Sequence, residues 1–437
     1  MRPPLTRQNL LCHFSAGFRP GRKRLIGLEY EMVGVHEETG QAISYDSEEA
    51  SVIAVLDGLC REYGWHPSGG EPLLELERDG SRITLEPGSQ LELSLRPHPD
   101  LGGVAAELSE CLIEVESIAR PLGLRFLALG QQPLTRPEEI TVLPKERYRI
   151  MTRYLPTRGR FALWMMRITA GMQVNLDLLS PDEAARALRL ALRMASVVTA
   201  LFANSPLTGG QANGWLSHRG RVWLEVDSER CTIPPGLTAD GAGIEDYLNW
   251  AFDAGMFFVQ RGPQLIDMTG TRFSEFLDGG RCGIKPLLAD WETHLTTLFP
   301  EARLKNYLEL RCADANRPEL ALAFAALAVG LFYGGTELRE EASALFAGWS
   351  DAQRLAFHED CTRRGLEAEA PSGARAQDLA QALLELAGQG LDALHPEERH
   401  YLIPAEKIVA TGRTPAEELL ATWEDWPRSS GTIPPLL

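Results

Sequence analysis

The chain has 437 residues, of which 44% are hydrophobic and 24% charged, a composition typical of a folded globular protein. Sixty acidic residues against 43 basic ones leave a formal charge of −17. This excess would repel polyanions, so we expect neither nucleic acid nor an anionic membrane as a partner.

Targeting and redox signals are also missing from the sequence. Residues Met1 to Pro20 contain no apolar run of signal-peptide type, and the longest apolar stretch, Leu320 to Tyr333, is too short to span a bilayer. The seven cysteines are scattered, without a C-x-x-C pair or zinc-ligand spacing. We therefore expect a cytoplasmic protein with neither a disulfide framework nor structural zinc.

Four predicted strands alternate aliphatic and polar residues, so each strand has one polar face. We predict that the second strand is continuous and bends at Pro87 and Gly88. In chain order the polar residues are Glu29 and Glu31; then Glu86, Gln90, Glu92 and Ser94 within Ile83 to Leu95; then Gln173 and Asn175; and then Glu309 and Arg311.

The four strands predict one antiparallel sheet with an aliphatic face under helices and a face rich in carboxylates. Clustered carboxylates repel one another unless they are protonated or bridged by cations, and Mg²⁺ prefers such hard oxygen ligands. The alternative is that each strand has an ordinary solvated outer face. Four such strands together favour the metal site.

Helices are predicted between and after these strands. The clearest begins at Ser180, which can cap the helix, followed by Pro181 in the first turn and Glu183 to complete a capping box. It extends to Phe202. Further helical patterns cover Val104 to Ala119, Glu319 to Leu345, Ala376 to Leu394 and Thr414 to Trp423.

Several common catalytic motifs are missing. We find no G-x-x-x-x-G-K-[ST] loop, no G-x-G-x-x-G turn, no G-x-S-x-G elbow and no H-E-x-x-H helix. Any ATP would therefore be held through its metal ions. A glycosidase with paired carboxylates is a further alternative, but it leaves Arg311 and the number of acids unexplained.

Longer blocks of sequence resemble the plant-type glutamate-cysteine ligases, which are related in fold to glutamine synthetase. The similarity extends from about Gly27 to Gly334. Its main blocks are Ile83 to Ser94, Pro144 to Met151 with Tyr154, Gln173 to Asp177, Leu201 to Pro206, Asn213 to Arg230, Trp291 to Lys305, and Tyr307 to Arg311.

The resemblance implies an α+β fold whose curved antiparallel sheet forms a funnel-like active site flanked by helices. Residues 1–335 would form the catalytic body, and residues 336–437 a helical C-terminal region packed on it.

The resemblance also implies roles for individual residues. Arg311 and Glu86 would be catalytic, Arg311 by stabilising the transferring phosphoryl group. The metal ligands would be Glu29, Glu31, Glu86, Glu92, Gln173 and Glu309; the substrate-binding residues Arg219, Arg230, Trp223, Tyr154 and Met172; and the nucleotide-binding residues Lys145, Arg149 and Asn175. For Arg219 and Arg230, surface ion pairs are the alternative. For Lys145, Arg149 and Tyr154 it is an ordinary loop or helix position, and for Trp223 it is the core or a pocket wall.

The implied reaction is ATP-dependent ligation of glutamate to cysteine through a γ-glutamyl phosphate, assisted by two or more Mg²⁺ ions. It would serve synthesis of glutathione or of ergothioneine, in a monomer or homodimer. The alternatives are a ligase of the same mechanism with another amine acceptor, and a non-catalytic relative that binds glutamate or nucleotide.

Three departures from the family pattern bear on these alternatives. The segments Ala170 to Met172 and Ala315 to Arg317 differ from the family pattern, which predicts an altered pocket lining and puts the acceptor in doubt. A cysteine pair of many relatives corresponds here to Met268 and Cys282, so we predict that the redox-sensitive disulfide is missing.

Overall fold

The computed structural model describes residues 5–18, 20–47, 50–69 and 72–424, so the last thirteen residues of the predicted C-terminal region lie outside it. The strands are β1 Ile26–His36, β2 His66–Pro67, β3 Glu75–Arg78, β4 Ser81–Leu85, β5 Leu91–Ser94, β6 Leu124–Leu127, β7 Gly171–Leu176, β8 Leu207–Thr208, β9 Gln211–Ala212, β10 Cys231–Thr232, β11 Phe258–Arg261, β12 Gln264–Asp267, β13 Phe299–Pro300, β14 Ala302–Leu304 and β15 Leu308–Asp314.

The α-helices alternate with these strands and then follow them. They are α1 Arg7–Ala16, α2 Val52–Tyr63, α3 Leu101–Ala119, α4 Glu146–Tyr154, α5 Ala162–Ile168, α6 Pro181–Leu201, α7 His218–Trp223, α8 Ile244–Asp253, α9 Phe273–Gly279, α10 Leu288–Leu295, α11 Pro318–Tyr333, α12 Thr336–Ala344, α13 Asp351–Arg364, α14 Ala376–Leu394, α15 Ile403–Thr411 and α16 Pro415–Glu424.

One large antiparallel sheet organises the molecule. Its strand order is β14-β15-β7-β1-β5-β4-β3-β2, and β6 pairs with the distal half of β1. The predicted strands lie side by side in its centre, as the alternating pattern required. In this register Glu31 lies opposite Glu92, and Glu29 lies opposite Gln173, so the polar residues of neighbouring strands share one face.

The predicted bent strand from Ile83 to Leu95 is instead a hairpin. It comprises β4, a tight turn and β5, with the amide of Glu86 donating to the carbonyl of Gln90 over 2.9 Å. Ser89 in the turn has a φ of 71°, in the left-handed region. The chain reverses direction here, so Glu86 lies in the turn and not in a strand.

The aliphatic face of the sheet packs under long helices. Helix α6 packs on β14 and β15, and α11 packs on β7 and β1. Helix α11 is apolar almost all round, as expected for a helix buried on every side, because α14 of the C-terminal third covers its other face. The C-terminal helices therefore share a hydrophobic core with the sheet.

Two helix predictions need correction. Ser180 does cap α6 by accepting from the amide of Glu183, but the Glu183 carboxylate accepts from the amide of Leu179 and pairs with Arg24 and Arg339 at 2.6 and 2.8 Å. It therefore does not close a capping box. The predicted helix from Glu319 to Leu345 is two helices, α11 and α12, which meet at 109°.

Among the described residues, no single helix is both long and apolar enough to cross a bilayer. Helices α11 and α12 reach that length and apolar composition only when the two are taken together as a bent pair.

Helices α11 and α14 touch at Gly330 and Gly390, and this close contact predicts an effect on stability. A Cβ at Gly330 would lie 2.1 Å from the carbonyl oxygen of Ala387. We expect Gly330→Ala to lower the free energy of unfolding by about 1–3 kcal/mol because the helices must move apart. Urea denaturation would measure the loss. Gly279→Ala, where no atom lies within 4 Å, is the matched control and should unfold like the wild type.

Candidate active site

A cavity of about 230 Å³ opens on the polar face of the central strands. It is lined by acids, arginines, amides and an aromatic and aliphatic wall. The lining residues are Glu29, Glu31, Glu86, Pro87, Gln90, Glu92, Arg147, Tyr148, Met151, Met165, Thr169, Gln173, Arg219, Trp223, Thr296, Phe299, Arg303 and Arg311.

The carboxylates of the cavity are held by short polar contacts from neighbouring strands. Glu31 accepts from the amide of Gly171 at 2.6 Å and from Nε2 of Gln173 at 3.1 Å. On the other side, Glu92 accepts from the hydroxyls of Thr84 and Ser94, each at 3.0 Å. These contacts orient the acids without neutralising them.

Burial and mutual repulsion raise the pKa values of these acids. The pKa of Glu31 rises to about 7, first through burial and then through the charge of Glu92. Burial likewise raises the pKa of Glu92 to about 7, with a further contribution from Glu86. The pKa of Glu29 also rises to about 7, through burial and then the charges of Glu309 and Glu92.

Glu86 lies in the same field. Burial and then the charge of Glu31 raise its pKa, while Arg147 and Lys145 oppose the shift. A bound cation would favour the ionised form of all four cavity carboxylates.

Glu309 has a different environment from the cavity carboxylates. It is fully buried and receives a two-point contact from Arg303 at 2.5 and 3.0 Å, with Lys305 at 3.8 Å and Arg311 at 3.3 Å. Burial alone would raise its pKa, but these three cations hold the pKa well below its usual range. Glu309 is therefore an ionised carboxylate that already has its counterions.

Arg219 and Arg311 bring positive charge to the same cavity, which Arg147 and Arg303 also line. Nη1 of Arg311 donates to Oε1 of Gln173 at 2.5 Å. Arg219 reaches the cavity from α7, and its Nη2 donates to the carbonyl oxygen of Arg311 at 3.0 Å. Carboxylates and guanidinium groups thus face one space, which suits a ligand that carries both charges, such as an amino acid.

Three predicted substrate-binding residues, Arg230, Met172 and Tyr154, lie outside this cavity. Arg230 is fully buried, and its three nitrogens donate to Asp227 at 2.8 Å and to the carbonyl oxygens of Thr297 and Gly255. It holds loops together below the site. Met172 lies on the opposite face of β7, in the hydrophobic core, because side chains alternate along a strand.

Other predicted residues lie beside the cavity or away from it. Tyr154 packs edge-on against Phe257, and Arg149 is exposed and pairs with Glu146 on its own helix. Lys145 and Asn175 are nearer. Burial lowers the pKa of Lys145, with the Glu86 charge opposing the shift. Nδ2 of Asn175 donates to Glu29 at 2.9 Å.

Sequence reasoning missed three polar contributors to the lining, Arg147, Tyr148 and Arg303, and it placed Gln90 on the polar face without giving it a role. The signal for the first two was present in α4, where Arg147, Tyr148 and Met151 recur at helical spacing and so share one side of the helix. The signal for Arg303 was weaker. Its alternation with Lys305 became informative only once β14 was seen to pair with β15.

Altered residues near the expected pocket prove to lie mostly behind it. Ala170 and Ala315 belong to a buried apolar cluster, and Asn316 is fully buried and donates to the carbonyl oxygen of Phe202. Within Ala170 to Met172, the glycine at 171 touches residues of the cavity. The expectation that Ala170 to Met172 and Ala315 to Arg317 line the pocket is therefore wrong, and of these residues Gly171 approaches the lining through Glu31 and Arg219.

The donor set of the cavity fits Mg²⁺ in its chemistry, since Glu29, Glu31, Glu86, Glu92 and Gln173 offer hard oxygen ligands in one cavity. Across the described part of the chain, however, no three acidic, histidine or cysteine side chains are gathered closely enough to hold a metal ion. The seven cysteines are free thiols, with Cys282 exposed and Met268 buried.

Sequence comparisons identify the family to which this site belongs. The profile of glutamate-cysteine ligase family 2 matches residues 25–432. The chain is 37% identical over 431 residues to the chloroplastic glutamate–cysteine ligase of Arabidopsis thaliana, covering 98% of this chain and 81% of that protein. It is 36% identical over 434 residues to chloroplastic glutamate–cysteine ligase B of Oryza sativa subsp. japonica, covering 98% and 86%.

The chain belongs to glutamate-cysteine ligase family 2. The resemblance to plant-type glutamate-cysteine ligases is confirmed, and with it the assignment to a family of ligases.

Solved structures agree on the fold. The glutamate–cysteine ligase of Francisella tularensis, solved in complex with AMP, superposes with a TM-score of 0.58 at 14% identity, over 93% of this chain and 86% of that one. A bifunctional glutathione synthetase from Pasteurella multocida superposes with a TM-score of 0.53 at 15% identity, over 95% of this chain and 51% of that one. The predicted α+β class with a large antiparallel sheet is confirmed.

The buried pair of Glu309 and Arg303 gives a prediction on stability. Arg303→Met removes the two-point contact and leaves a buried carboxylate short of countercharge, so we expect a loss of about 3–5 kcal/mol in the free energy of unfolding at pH 7. In the wild type the contribution of Glu309 is complete above its ordinary pKa of 4.5 and declines as the pH falls below that value, because its native pKa is depressed.

Urea denaturation between pH 3 and pH 7 would measure both effects. The exposed pair offers the control: Arg149→Ala should change neither stability nor, given the position of Arg149 on the surface, any ligase activity. An Arg303→Met variant as stable as the wild type at pH 7 would contradict the assignment of Glu309 as a buried charge.

Proposed function

We propose that the protein is an ATP-dependent glutamate–cysteine ligase that forms γ-glutamylcysteine through a γ-glutamyl phosphate intermediate. The observation that carries the proposal is that four carboxylates, Arg219 and Arg311 line one cavity, in a member of this ligase family. The product would serve synthesis of a low-molecular-weight thiol such as glutathione.

The reaction has two steps. An oxygen of the glutamate γ-carboxylate attacks the γ-phosphorus of ATP, the bond to the β-phosphate oxygen breaks, and ADP leaves. The neutral amine of cysteine then attacks the acyl phosphate carbon, expelling phosphate and losing a proton. Both steps move negative charge, which fixed cations stabilise without reorganising.

Arg311 is the residue best placed to stabilise the phosphoryl group in transfer. Its guanidinium is fixed by Oε1 of Gln173 at 2.5 Å and lies 3.3 Å from the Glu309 carboxylate. These contacts pre-organise the guanidinium before substrate arrives, so little reorganisation is needed in the transition state.

Arg219 would grip the glutamate α-carboxylate, because a guanidinium binds a carboxylate through two parallel hydrogen bonds. The carboxylates beside it suit the α-ammonium group of the same amino acid. Trp223 and Phe299, whose ring centroids lie 5.6 Å apart, form an apolar wall that limits the size of the bound side chains.

Mg²⁺ ions would be held by Glu29, Glu31, Glu86, Glu92 and Gln173, and would neutralise the phosphates of ATP when bound. Glu309 is the least suited of the predicted ligands, since three cations already surround it. A second cavity of about 470 Å³ shares Thr296 with the first and leaves space for the remainder of the nucleotide.

A ligase with another amine acceptor remains the second candidate, since nothing in the lining selects a thiol by itself. Release of ADP would be measured with ATP, Mg²⁺, glutamate and each amino acid in turn, with mass detection of the γ-glutamyl product. We expect cysteine to give the highest rate of the series, with γ-glutamylcysteine as the product, because the relatives of this chain are glutamate–cysteine ligases. If only another amine supports turnover, that amine is the acceptor in place of cysteine. If no amine supports turnover, the proposal that the protein is a ligase is rejected.

Cation binding has a pH signature. Without Mg²⁺, the native carboxyls with a pKa of about 7 bind more protons than the unfolded chain between pH 4.5 and 7, so their contribution to stability falls as the pH rises through that window. Mg²⁺ favours the ionised forms. We therefore expect Mg²⁺ to raise Tm more at pH 7.5 than at pH 5.5.

Calorimetry with and without Mg²⁺, at matched ionic strength with KCl, would measure this difference. Glu92→Gln removes one charged ligand and should shrink the Mg²⁺ shift at pH 7.5. An equal shift at both pH values would mean that Mg²⁺ does not bind through these carboxylates.

A further inference from the structure

The direct polar contacts that hold the Arg219 side chain are made with groups other than the cavity carboxylates. It belongs to the short helix α7, and the residue is only 5% exposed. Its Nη2 donates to the carbonyl oxygen of Arg311, and its Nη1 lies 4.0 Å from Oδ1 of Asp314. These contacts fix the guanidinium without using a cavity carboxylate.

Asp314 organises the start of α7 as well as facing the guanidinium. Its Oδ2 accepts from Oγ of Ser205 at 2.7 Å, and its Oδ1 accepts from Oγ of Ser217 at 2.8 Å. Ser205 Oγ in turn accepts from the amide of Arg219 at 2.9 Å, and Ser217 Oγ from the amide of Gly220 at 3.1 Å. Both ends of Arg219, backbone and side chain, therefore depend on one buried carboxylate.

Gly171 lies directly against the Arg219 guanidinium. It lies opposite Asp314 in the pairing of β7 with β15. A Cβ at this position would lie 2.5 Å from Nη2, 2.8 Å from Cζ and 3.0 Å from Nε of Arg219. The missing side chain therefore creates the space that the guanidinium occupies, directly beside the amide that donates to Glu31.

We propose that Asp314 and Gly171 are positioning residues that set the place of the Arg219 guanidinium, and thereby the affinity for the carboxylate of the amino-acid substrate. Asp314 acts through its charge and through the two serines, whereas Gly171 acts by leaving space. The proposal rests on the proposed function for the identity of the substrate, glutamate.

Gly171→Ala is the most direct test, because the atom that must move is the end of a side chain and not backbone. We expect the KM for glutamate to rise about tenfold or more, corresponding to about 1.4 kcal/mol, while the KM for ATP stays within about twofold. Asp314→Asn should have the same signature, because its amide would present donors to groups that already donate. If Asp314→Asn does not fold, Ser217→Ala takes its place in the test.

A binding measurement accompanies the kinetics. Glutamate should raise Tm of the wild type, and this rise should be lost in Gly171→Ala. Gly58→Ala is the matched control, since its Cβ would lie 2.4 Å from Cγ2 of Ile118, between helices that do not line the cavity. It should lower Tm without changing the KM for glutamate or the glutamate-induced rise.

The outcomes separate the two proposals. If the wild type forms no γ-glutamyl product but is stabilised by glutamate, the proposed function is rejected. Loss of that stabilisation in Gly171→Ala would still support the positioning role of Gly171 and Asp314. If the wild type is active and Gly171→Ala leaves the KM for glutamate unchanged, the positioning role is contradicted and the proposed function stands. A wild type that neither turns over nor responds to glutamate overturns both.

Discussion

Four carboxylates, Glu29, Glu31, Glu86 and Glu92, are gathered at one face of an antiparallel sheet with little exposure to solvent, and the remaining architecture accommodates that arrangement. Buried like charges repel and lose their hydration, so the native state keeps them only with strong compensation. Part of it comes from hydrogen bonds between neighbouring strands. Part comes from the aliphatic face of the same strands, whose burial under α6 and α11 supplies the apolar free energy that a polar sheet face cannot.

Two kinds of carboxylate result from this arrangement. Glu309 has Arg303, Lys305 and Arg311 around it and stays ionised, which makes it part of the fixed charge of the site. Glu29, Glu31 and Glu92 lack a cation at such short range, and their pKa values rise to about 7. Carboxylates that remain short of positive charge are the ones suited to bind a cation or an ammonium group.

The C-terminal helices contribute to the site from behind. Helix α13 packs on α6 and on α7, the helix that carries Arg219, and the amide of Ser217 donates to the carbonyl oxygen of Thr362. Buried His358, also on α13, lies 3.5 Å from the Glu301 carboxylate, and the carbonyl of Glu301 accepts from the amide of Arg311. Substitutions in α13 would therefore affect Arg219 and Arg311 through the residues that hold them.

The sequence by itself determined which residues face the site on β1, β5, β7 and β15, because a strand has a period of two and the apolar face identifies the polar one. It also determined the start of α6 at Ser180 and, through the resemblance, the family. Glu86 lines the cavity together with Glu29, Glu31 and Glu92, although the strand that was predicted to carry it is a hairpin and Glu86 lies in its turn.

Only the tertiary structure decided the positions of the arginines. Arg219 and Arg230 look alike in sequence, yet one lines the cavity and the other is buried against Asp227. Local pattern does not encode which loop a long, flexible side chain reaches across, since that depends on how distant elements pack. The same reason hid the role of Gly171, whose missing Cβ has meaning only once Arg219, from a helix almost fifty residues away, lies over it.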